Sequence, residues 1–250
     1  MKNYKLILQY HGAGFCGWQM QNDKISIQSE LIRALEKIFR QKITVIASGR
    51  TDAGVHALGQ VVSFRCEGGL TKDRLKAAIN FYLGPEIIVS KIEEVDFDFH
   101  AQKDAKQKLY RYLILNQTLP HPLLIDATWH VPFKINWKLV QAGLKLLEGK
   151  KDFRAFQSVG TPVKSTVRTL FSAKLKKIKT PYEVSLYAIE WIADGFLKQM
   201  VRNMVGTLVD VGRGKISLDQ LEEVLRSCDR KKAGPAAPAQ GLYLVKVDYF

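Results

Sequence analysis

Hydrophobic and polar positions recur in short segments along the chain, and their spacing predicts mixed α and β structure. In the first hundred residues, short apolar or alternating segments predict strands at residues 5–10, 42–47, 60–65 and 87–95. Apolar residues at helical spacing predict two helices between these strands, one after Ser26 and one after Thr71, both suitable N-caps. The order β-α-β-β-α-β is that of a ferredoxin-like subdomain.

The second half of the chain repeats this order loosely. Strands are predicted at residues 109–115, 170–177, 183–193 and 242–249, and helices at 137–147, 197–211 and 217–227. A charged segment at 101–108 separates the two halves. We therefore predict an α+β fold of two ferredoxin-like (RRM-like) α/β subdomains with mainly antiparallel sheets, residues 1–104 and 105–250, joined across a basic cleft.

Charge is the most informative property of the composition. The 250 residues include 38 Lys and Arg against 24 Asp and Glu, a formal net charge of +14. This excess favours polyanionic partners, with RNA or DNA first and an acidic membrane surface second, and the plainer interpretation is solubility alone. No stretch approaches 18 uncharged apolar residues, which argues against a membrane span. Residues 1–8 are too short and too mixed for a signal peptide, so we expect a cytoplasmic protein.

The cysteines and histidines form no recognisable metal or disulfide pattern. Cys16, Cys66 and Cys228 lie far apart in the sequence and make no CxxC pair. The five histidines have no spacing typical of zinc ligands. We predict neither a metal site nor a disulfide framework.

Residues 12–17 match the GxGxxG pattern of dinucleotide-binding proteins and follow a predicted strand. A dinucleotide site needs a helix that begins at the third glycine, so that its N-terminus meets the pyrophosphate. Here a polar loop continues to Asp23, and the helix begins only after Ser26. We therefore predict no dinucleotide site. The loop, which bears Trp18 and Gln19, either contacts RNA or covers the core.

The segment 47–57, ASGRTDAGVHA, places one carboxylate between small residues on a loop between two predicted strands. Asp52 follows Arg50 by two positions, and the glycines allow a ligand to approach the backbone closely. Taken alone, an aspartate in such a stretch is more often a turn residue than a chemical reagent.

A pair of tyrosines stands on another predicted strand. Alternation places Tyr110 and Tyr112 on one face of this strand, and Leu109 and Arg111 on the other. Aromatic side chains on a sheet among cations are typical of proteins that stack unpaired RNA bases. The alternative is an aromatic pair in the core.

An arginine and a proline-rich segment in the second half complete the candidate residues. Arg202 flanks the apolar face of the helix predicted at 197–211, and Gly206 leaves space one turn later. Its side chain either extends to solvent, as long cationic side chains usually do, or is partly buried and needs an anion. Segment 234–244, rich in Pro and Gly, is either a simple connector or a stiff loop of a site.

Together these segments resemble the tRNA pseudouridine synthase A family. The matching segments are 48–57, 110–112, 200–206 and 237–244, and residues 10–12 and 17–19 fit the family's first loop. They occur in the family's order and span nearly the whole chain. The first motif alone is quite specific, and the ordered set is strongly so.

The resemblance implies an isomerase that converts uridine to pseudouridine at positions 38, 39 and 40 of tRNA, in the anticodon stem-loop. It also implies a homodimer that uses no metal and no organic cofactor. In this family Asp52 would be the catalytic nucleophile, Arg202 would pair with it, and Tyr110 would stack on the target uracil. The other substrate contacts expected are Arg50, which would help to hold the place of the extruded nucleotide, and Trp18, Gln19 and Leu244.

Two other functions fit parts of the pattern. A non-catalytic RNA-binding protein on the same scaffold would share the charge and the aromatic residues, but would not need Asp52 and Arg202. A glycoside hydrolase would use Asp52, but such enzymes usually need two carboxylates, and no second acid accompanies this motif. The point of attack of Asp52 stays open among C1′ of the ribose, C6 of the uracil and a ribose proton.

Overall fold

The computed structural model describes residues 1–160 and 163–249. The chain forms two compact units, one made of Met1–Lys106 together with Tyr243–Phe250, and the other of Gln107–Leu242. It passes from the first unit to the second within the charged segment 101–108. The end of the chain, which sequence order groups with the second half, belongs to the first unit.

The first unit has the strand and helix order that the sequence predicts. Its elements are β1 (Lys2–Tyr10), α1 (Ile27–Phe39), β2 (Val45–Ala47), β3 (His56–Cys66), α2 (Lys72–Tyr82) and β4 (Ile87–Val95). β1 lies between β3 and β4 and is antiparallel to both, and β2 is antiparallel to the C-terminal half of β3. The order β4-β1-β3-β2 makes this unit ferredoxin-like.

Both helices of the first unit begin where the sequence predicts. Ser26 caps α1 in a capping box, in which its hydroxyl accepts the Ser29 N–H at 3.1 Å and Ser29 Oγ accepts the Ser26 N–H at 3.0 Å. Thr71 occupies the N-cap position of α2 in an extended conformation, but its side chain makes no capping hydrogen bond. The start of α2 therefore lacks the side-chain stabilisation expected from its sequence.

The second unit has more elements than the sequence predicts. They are β5 (Gln107–Asn116), β6 (Trp129–Val131), α3 (Trp137–Leu147), β7 (Gly149–Asp152), β8 (Val167–Lys179), β9 (Ser185–Ala193), α4 (Met200–Gly212) and α5 (Leu218–Ser227). The sheet order is β5-β9-β8-β7, antiparallel throughout, and β6 is parallel to the end of β5. β6 and β7 have three and four residues, too few for alternation to reveal them.

The last strand, β10 (Leu242–Asp248), runs parallel to the start of β3. Tyr243 is opposite His56 and Leu244 is opposite Ala57. The strands approach closely at Gly59, where a Cβ would lie 2.4 Å from the carbonyl oxygen of Val245. β10 therefore supports β3 directly after the loop that carries Asp52.

α4 is a core helix of the second unit. Its residues Val201, Met204, Val205 and Leu208 are all buried. It packs against α3 at Gly143, where a Cβ would lie 2.6 Å from Leu208 Cδ2. None of the described helices is long and apolar enough to span a membrane.

Candidate active site

The loop between β2 and β3 presents Asp52 in a tight turn. The Val55 N–H donates to the Asp52 carbonyl oxygen at 3.1 Å, and Gly54 has φ of 78°. A positive φ at the third position of a turn is typical of type II and favours glycine. The turn interpretation is thus correct for the backbone of Asp52, whose side chain is half-buried.

A buried polar network fixes the backbone just before this turn. The hydroxyls of Tyr10 and Thr51 lie 2.8 Å apart. Gln60 Nε2 donates to the Gly49 carbonyl at 2.8 Å, and Gln60 Oε1 accepts from Ser48 Oγ at 2.7 Å. Burial raises the pKa of Tyr10 to about 12, so its hydroxyl stays neutral. The loop is therefore held in one geometry by satisfied hydrogen bonds rather than by surface contacts.

The GxGxxG segment packs against the Asp52 loop and lacks the helix start that a dinucleotide site needs. The Trp18 N–H donates to the Thr51 carbonyl at 3.0 Å, and α1 begins well beyond the third glycine. Gly12 and Gly17 allow the two backbones to approach closely. A Cβ at Gly12 would lie 2.1 Å from the Val55 carbonyl oxygen, and a Cβ at Gly17 would lie 2.7 Å from the Thr51 carbonyl oxygen.

His56 joins these two segments, and its contribution was not expected from the sequence. Its Nδ1 accepts the Gly12 N–H at 3.0 Å, which assigns the ring proton to Nε2 in the neutral form. The ring is 2% exposed and stacks on Tyr243 with centroids 4.7 Å apart, while the His11 ring lies 4.6 Å away. The sequence signal for this role is a histidine at the point where the motif of small residues ends and an apolar strand begins.

The other predicted contacts of the first unit occupy different environments. Trp18 and Leu244 are buried, 2% and 0% exposed, and Leu244 lies on β10 opposite Ala57. Gln19 Nε2 donates to Gln28 Oε1 on α1 at 2.9 Å, and Arg50 is exposed. Their roles as substrate contacts stay predictions.

In the second unit, Arg202 is anchored on the first turn of α4. Its Nε donates to the Ala237 carbonyl at 2.7 Å, and the Ala237 N–H donates to the Arg202 carbonyl at 3.0 Å. Arg202 is half-buried, so the simple solvent-exposed interpretation does not hold. Segment 234–241 is likewise more than a connector, because it fixes the arginine's side chain.

Tyr112 holds the other end of the same segment. Its hydroxyl donates to the Pro238 carbonyl at 2.6 Å, and Gly241 lies so close that a Cβ would be 2.6 Å from the ring. Burial raises the pKa of Tyr112 well above its usual value, and the positive charge of Arg202 opposes this effect. The core interpretation is correct for Tyr112.

Tyr110, two residues earlier on β5, is also largely covered. Its ring is 8% exposed and meets the Phe196 ring edge-on, with centroids 4.9 Å apart. The opposite face of β5 carries Arg111, whose guanidinium binds Glu190 at 2.7 Å. The strand therefore offers no open aromatic platform of the RRM type.

Comparison with known proteins identifies the family. A sequence profile of the family described as tRNA pseudouridine synthase matches residues 6–102 and 144–250. The chain belongs to the tRNA pseudouridine synthase family. This confirms the family and the α+β fold class predicted from the motifs.

Individual relatives match over the full length. The chain is 42% identical over 249 residues to the tRNA pseudouridine synthase A of Acetivibrio thermocellus, with 100% of both chains covered. It is 40% identical over 249 residues to that of Pseudothermotoga lettingae, again over 100% of both. The Bdellovibrio bacteriovorus protein is 44% identical over 250 residues, covering 98% of this chain and 94% of its own.

The described residues of this family member contain no group of three or more His, Cys, Asp or Glu side chains able to hold a metal ion.

Gly206→Ala is expected to destabilise the protein by about 1–3 kcal/mol and to displace the segment that anchors Arg202. A Cβ at Gly206 would lie 1.8 Å from the Pro235 carbonyl oxygen, and backbone cannot yield as a side chain does. Gly143→Ala is a matched control, because it gains the same helix propensity but meets only the ends of leucine side chains, the nearest being Leu208 Cδ2 at 2.6 Å and Leu221 Cδ2 at 3.1 Å. Urea unfolding of both variants checks this, and equal free energies of unfolding would contradict it.

Proposed function

We propose that the protein isomerises uridine to pseudouridine in tRNA, at positions 38, 39 and 40 of the anticodon stem-loop. One observation carries the proposal. Asp52 offers a half-buried carboxylate on a rigid loop, in a chain that aligns from end to end with tRNA pseudouridine synthase A of other organisms. The net charge of +14 suits a tRNA substrate.

The reaction needs one carboxylate and no added group. The N1–C1′ bond breaks, the uracil turns, C5 joins C1′, the proton on C5 leaves and N1 gains a proton, so that substrate and product have the same atoms. Asp52 acts in its ionised form, whether it attacks C1′, attacks C6 or removes a ribose proton. Arg202 serves as the counter-ion of this carboxylate.

The target nucleotide is flipped out of the RNA and its base stacks on Tyr110. A uridine stacked in a stem hides its glycosidic bond, so the nucleotide must leave the stack to react. The Tyr110 ring then stacks on the loose uracil, and its hydroxyl takes up the C5 proton at the last step, directly or through water, while it passes its own proton on to solvent.

Tyr110→Leu is expected to lower kcat/KM by about 10- to 100-fold, because stacking on an aromatic ring contributes about 1–3 kcal/mol per base. Tyr110→Phe keeps the ring, so KM should stay near the wild-type value while kcat falls by about 10²-fold. Steady-state kinetics on tRNA transcripts measure both. Wild-type kcat in Tyr110→Phe would remove the hydroxyl from the mechanism and leave stacking alone.

The function is tested by chemical mapping of pseudouridine in tRNA transcripts treated with the protein. Transcripts in which the uridine at position 38, 39 or 40 is replaced singly by cytidine assign each modified nucleotide. We expect modification at every one of the three positions that carries uridine. Binding without pseudouridine would support the non-catalytic RNA-binding alternative, and release of free uracil would support a hydrolase.

The homodimer follows from the resemblance, and the cytoplasmic location follows from the N-terminal residues, which do not resemble a signal peptide. A homodimer and a cytoplasmic location stay predictions. Sedimentation equilibrium of the purified chain, with and without tRNA, measures the oligomeric state.

A further inference from the structure

Two cations of the second unit flank the end of β9. Lys108 on β5 is opposite Ala193, the last residue of β9, and Ala193 is in turn opposite Leu170 on β8. Arg168 lies two residues before Leu170 on β8. Because alternate residues of a strand share a face, Lys108 and Arg168 occupy the same face at the same end of this sheet.

Arg168 is held in place there. Its Nη1 donates to the carbonyl oxygens of Ser165 and Val167 at 2.9 and 2.7 Å. Gly195 lies next to this side chain, since a Cβ at that position would be 3.4 Å from Arg168 Nε, an ordinary contact distance. A guanidinium fixed in this way loses little conformational entropy when it binds a ligand.

Lys108 is half-buried on the same face and at the same end of the sheet. Burial, and then the positive charge of Arg168, lower the pKa of Lys108 to about 8. Asp194, at the same end of the sheet, accepts the Thr169 N–H with both carboxylate oxygens at 3.0 and 3.1 Å. A phosphate that reaches both cations is attracted by each of them.

The aromatic ring nearest along the strand is Tyr110, two residues after Lys108 and on the same face, about 7 Å away along the backbone. Phe196, which follows Gly195 directly, contacts the Tyr110 ring edge-on at 4.9 Å. The Tyr110 ring and the two cations therefore lie on the same face of the sheet. A nucleotide, with its planar base and its phosphate, combines the two matching chemistries.

We propose that Lys108 and Arg168 together bind one backbone phosphate of the RNA, adjacent to the nucleotide whose base stacks on Tyr110. The choice of RNA rests on the proposed function. The phosphate contact carries no sequence information and sets the position of the strand relative to the aromatic ring. The planar guanidinium of Arg168 can donate two hydrogen bonds to two phosphate oxygens, and the ammonium group of Lys108 adds a positive charge.

Binding of a tRNA anticodon-arm RNA to Lys108 variants tests this. Lys108→Met should raise Kd by about tenfold and lower the slope of log Kd against log salt by about 0.7–0.9. Lys108→Arg should restore both quantities, because arginine keeps the charge. Arg168→Met should resemble Lys108→Met. Lys174→Met is the matched control, an exposed lysine on the other face of β8 opposite Glu190, and should bind as wild type does.

A second measurement uses the wild-type protein and RNAs in which single phosphates near the target uridine are replaced by neutral methylphosphonates. One position should weaken binding by as much as Lys108→Met does, and Lys108→Met should be insensitive to that replacement. Wild-type affinity in Lys108→Met, failure of Lys108→Arg to restore binding, or no sensitive phosphate would each overturn the proposal.

The outcomes separate this proposal from the proposed function. If the wild type makes no pseudouridine while its RNA binding follows the pattern above, the function fails and the phosphate site stands. If the wild type turns over and Lys108→Met binds RNA normally, only the phosphate site fails.

Discussion

Asp52→Asn is expected to lower the rate of pseudouridine formation by about 10⁴-fold or more, the loss typical of removing a catalytic nucleophile. The amide has the same shape but neither attacks C1′ or C6 nor accepts a ribose proton. The loop itself should survive, because the buried network runs through Tyr10, Thr51 and Gln60 and does not need the carboxylate charge. The Kd for tRNA should therefore stay within a few fold of the wild-type value.

Single-turnover formation of pseudouridine in a tRNA transcript measures this rate. Asp23→Asn is a matched control, since Asp23 is an exposed loop aspartate of the same unit with φ of 60°, a conformation that asparagine adopts as easily. It should leave turnover unchanged. Turnover by Asp52→Asn within tenfold of wild type would refute the nucleophile assignment.

Arg202→Met is expected to lower kcat by about 10²–10³-fold near neutral pH while the protein remains folded. The substitution removes the proposed counter-ion of Asp52 and also the hydrogen bond to the Ala237 carbonyl. Methionine fills a similar volume, and the rest of α4 is packed by apolar side chains, so the core should tolerate it. Arg202→Lys should recover only part of the activity, because an ammonium cannot reproduce the fork of a guanidinium.

Arg213→Met provides the comparison for this variant. Arg213 is the C-cap of the same helix, is half-buried, and lies over the Phe133 ring at 4.1 Å. It should lose some stability but keep kcat. Measuring kcat and the free energy of unfolding for both variants separates a chemical role from a packing role, and native-like turnover by Arg202→Met would refute the ion-pair proposal.

Long, strongly periodic segments were predicted well because periodicity reports which residues face the core. The helix at Trp137–Leu147 and the strand at Ile87–Val95 have the predicted bounds. Thr71 shows the limit of local signals, since a residue type suited to capping stands at the right place and makes no capping bond. The tyrosines of β5 show another limit. Alternation placed them on one face but could not tell a buried face from an open one.

Ordered motifs and strand and helix periods are local properties of the chain, and they were sufficient to predict the α+β class, the family and the candidate residues. The membership of β10 in the first unit, the support of the Asp52 loop by His56 and Gly12, and the anchoring of Arg202 by Ala237 were decided only by the tertiary structure. Each of these features joins residues that are distant in sequence or depends on a backbone approach that only glycine permits. Such contacts follow from the path of the chain in space, on which local patterns carry no information.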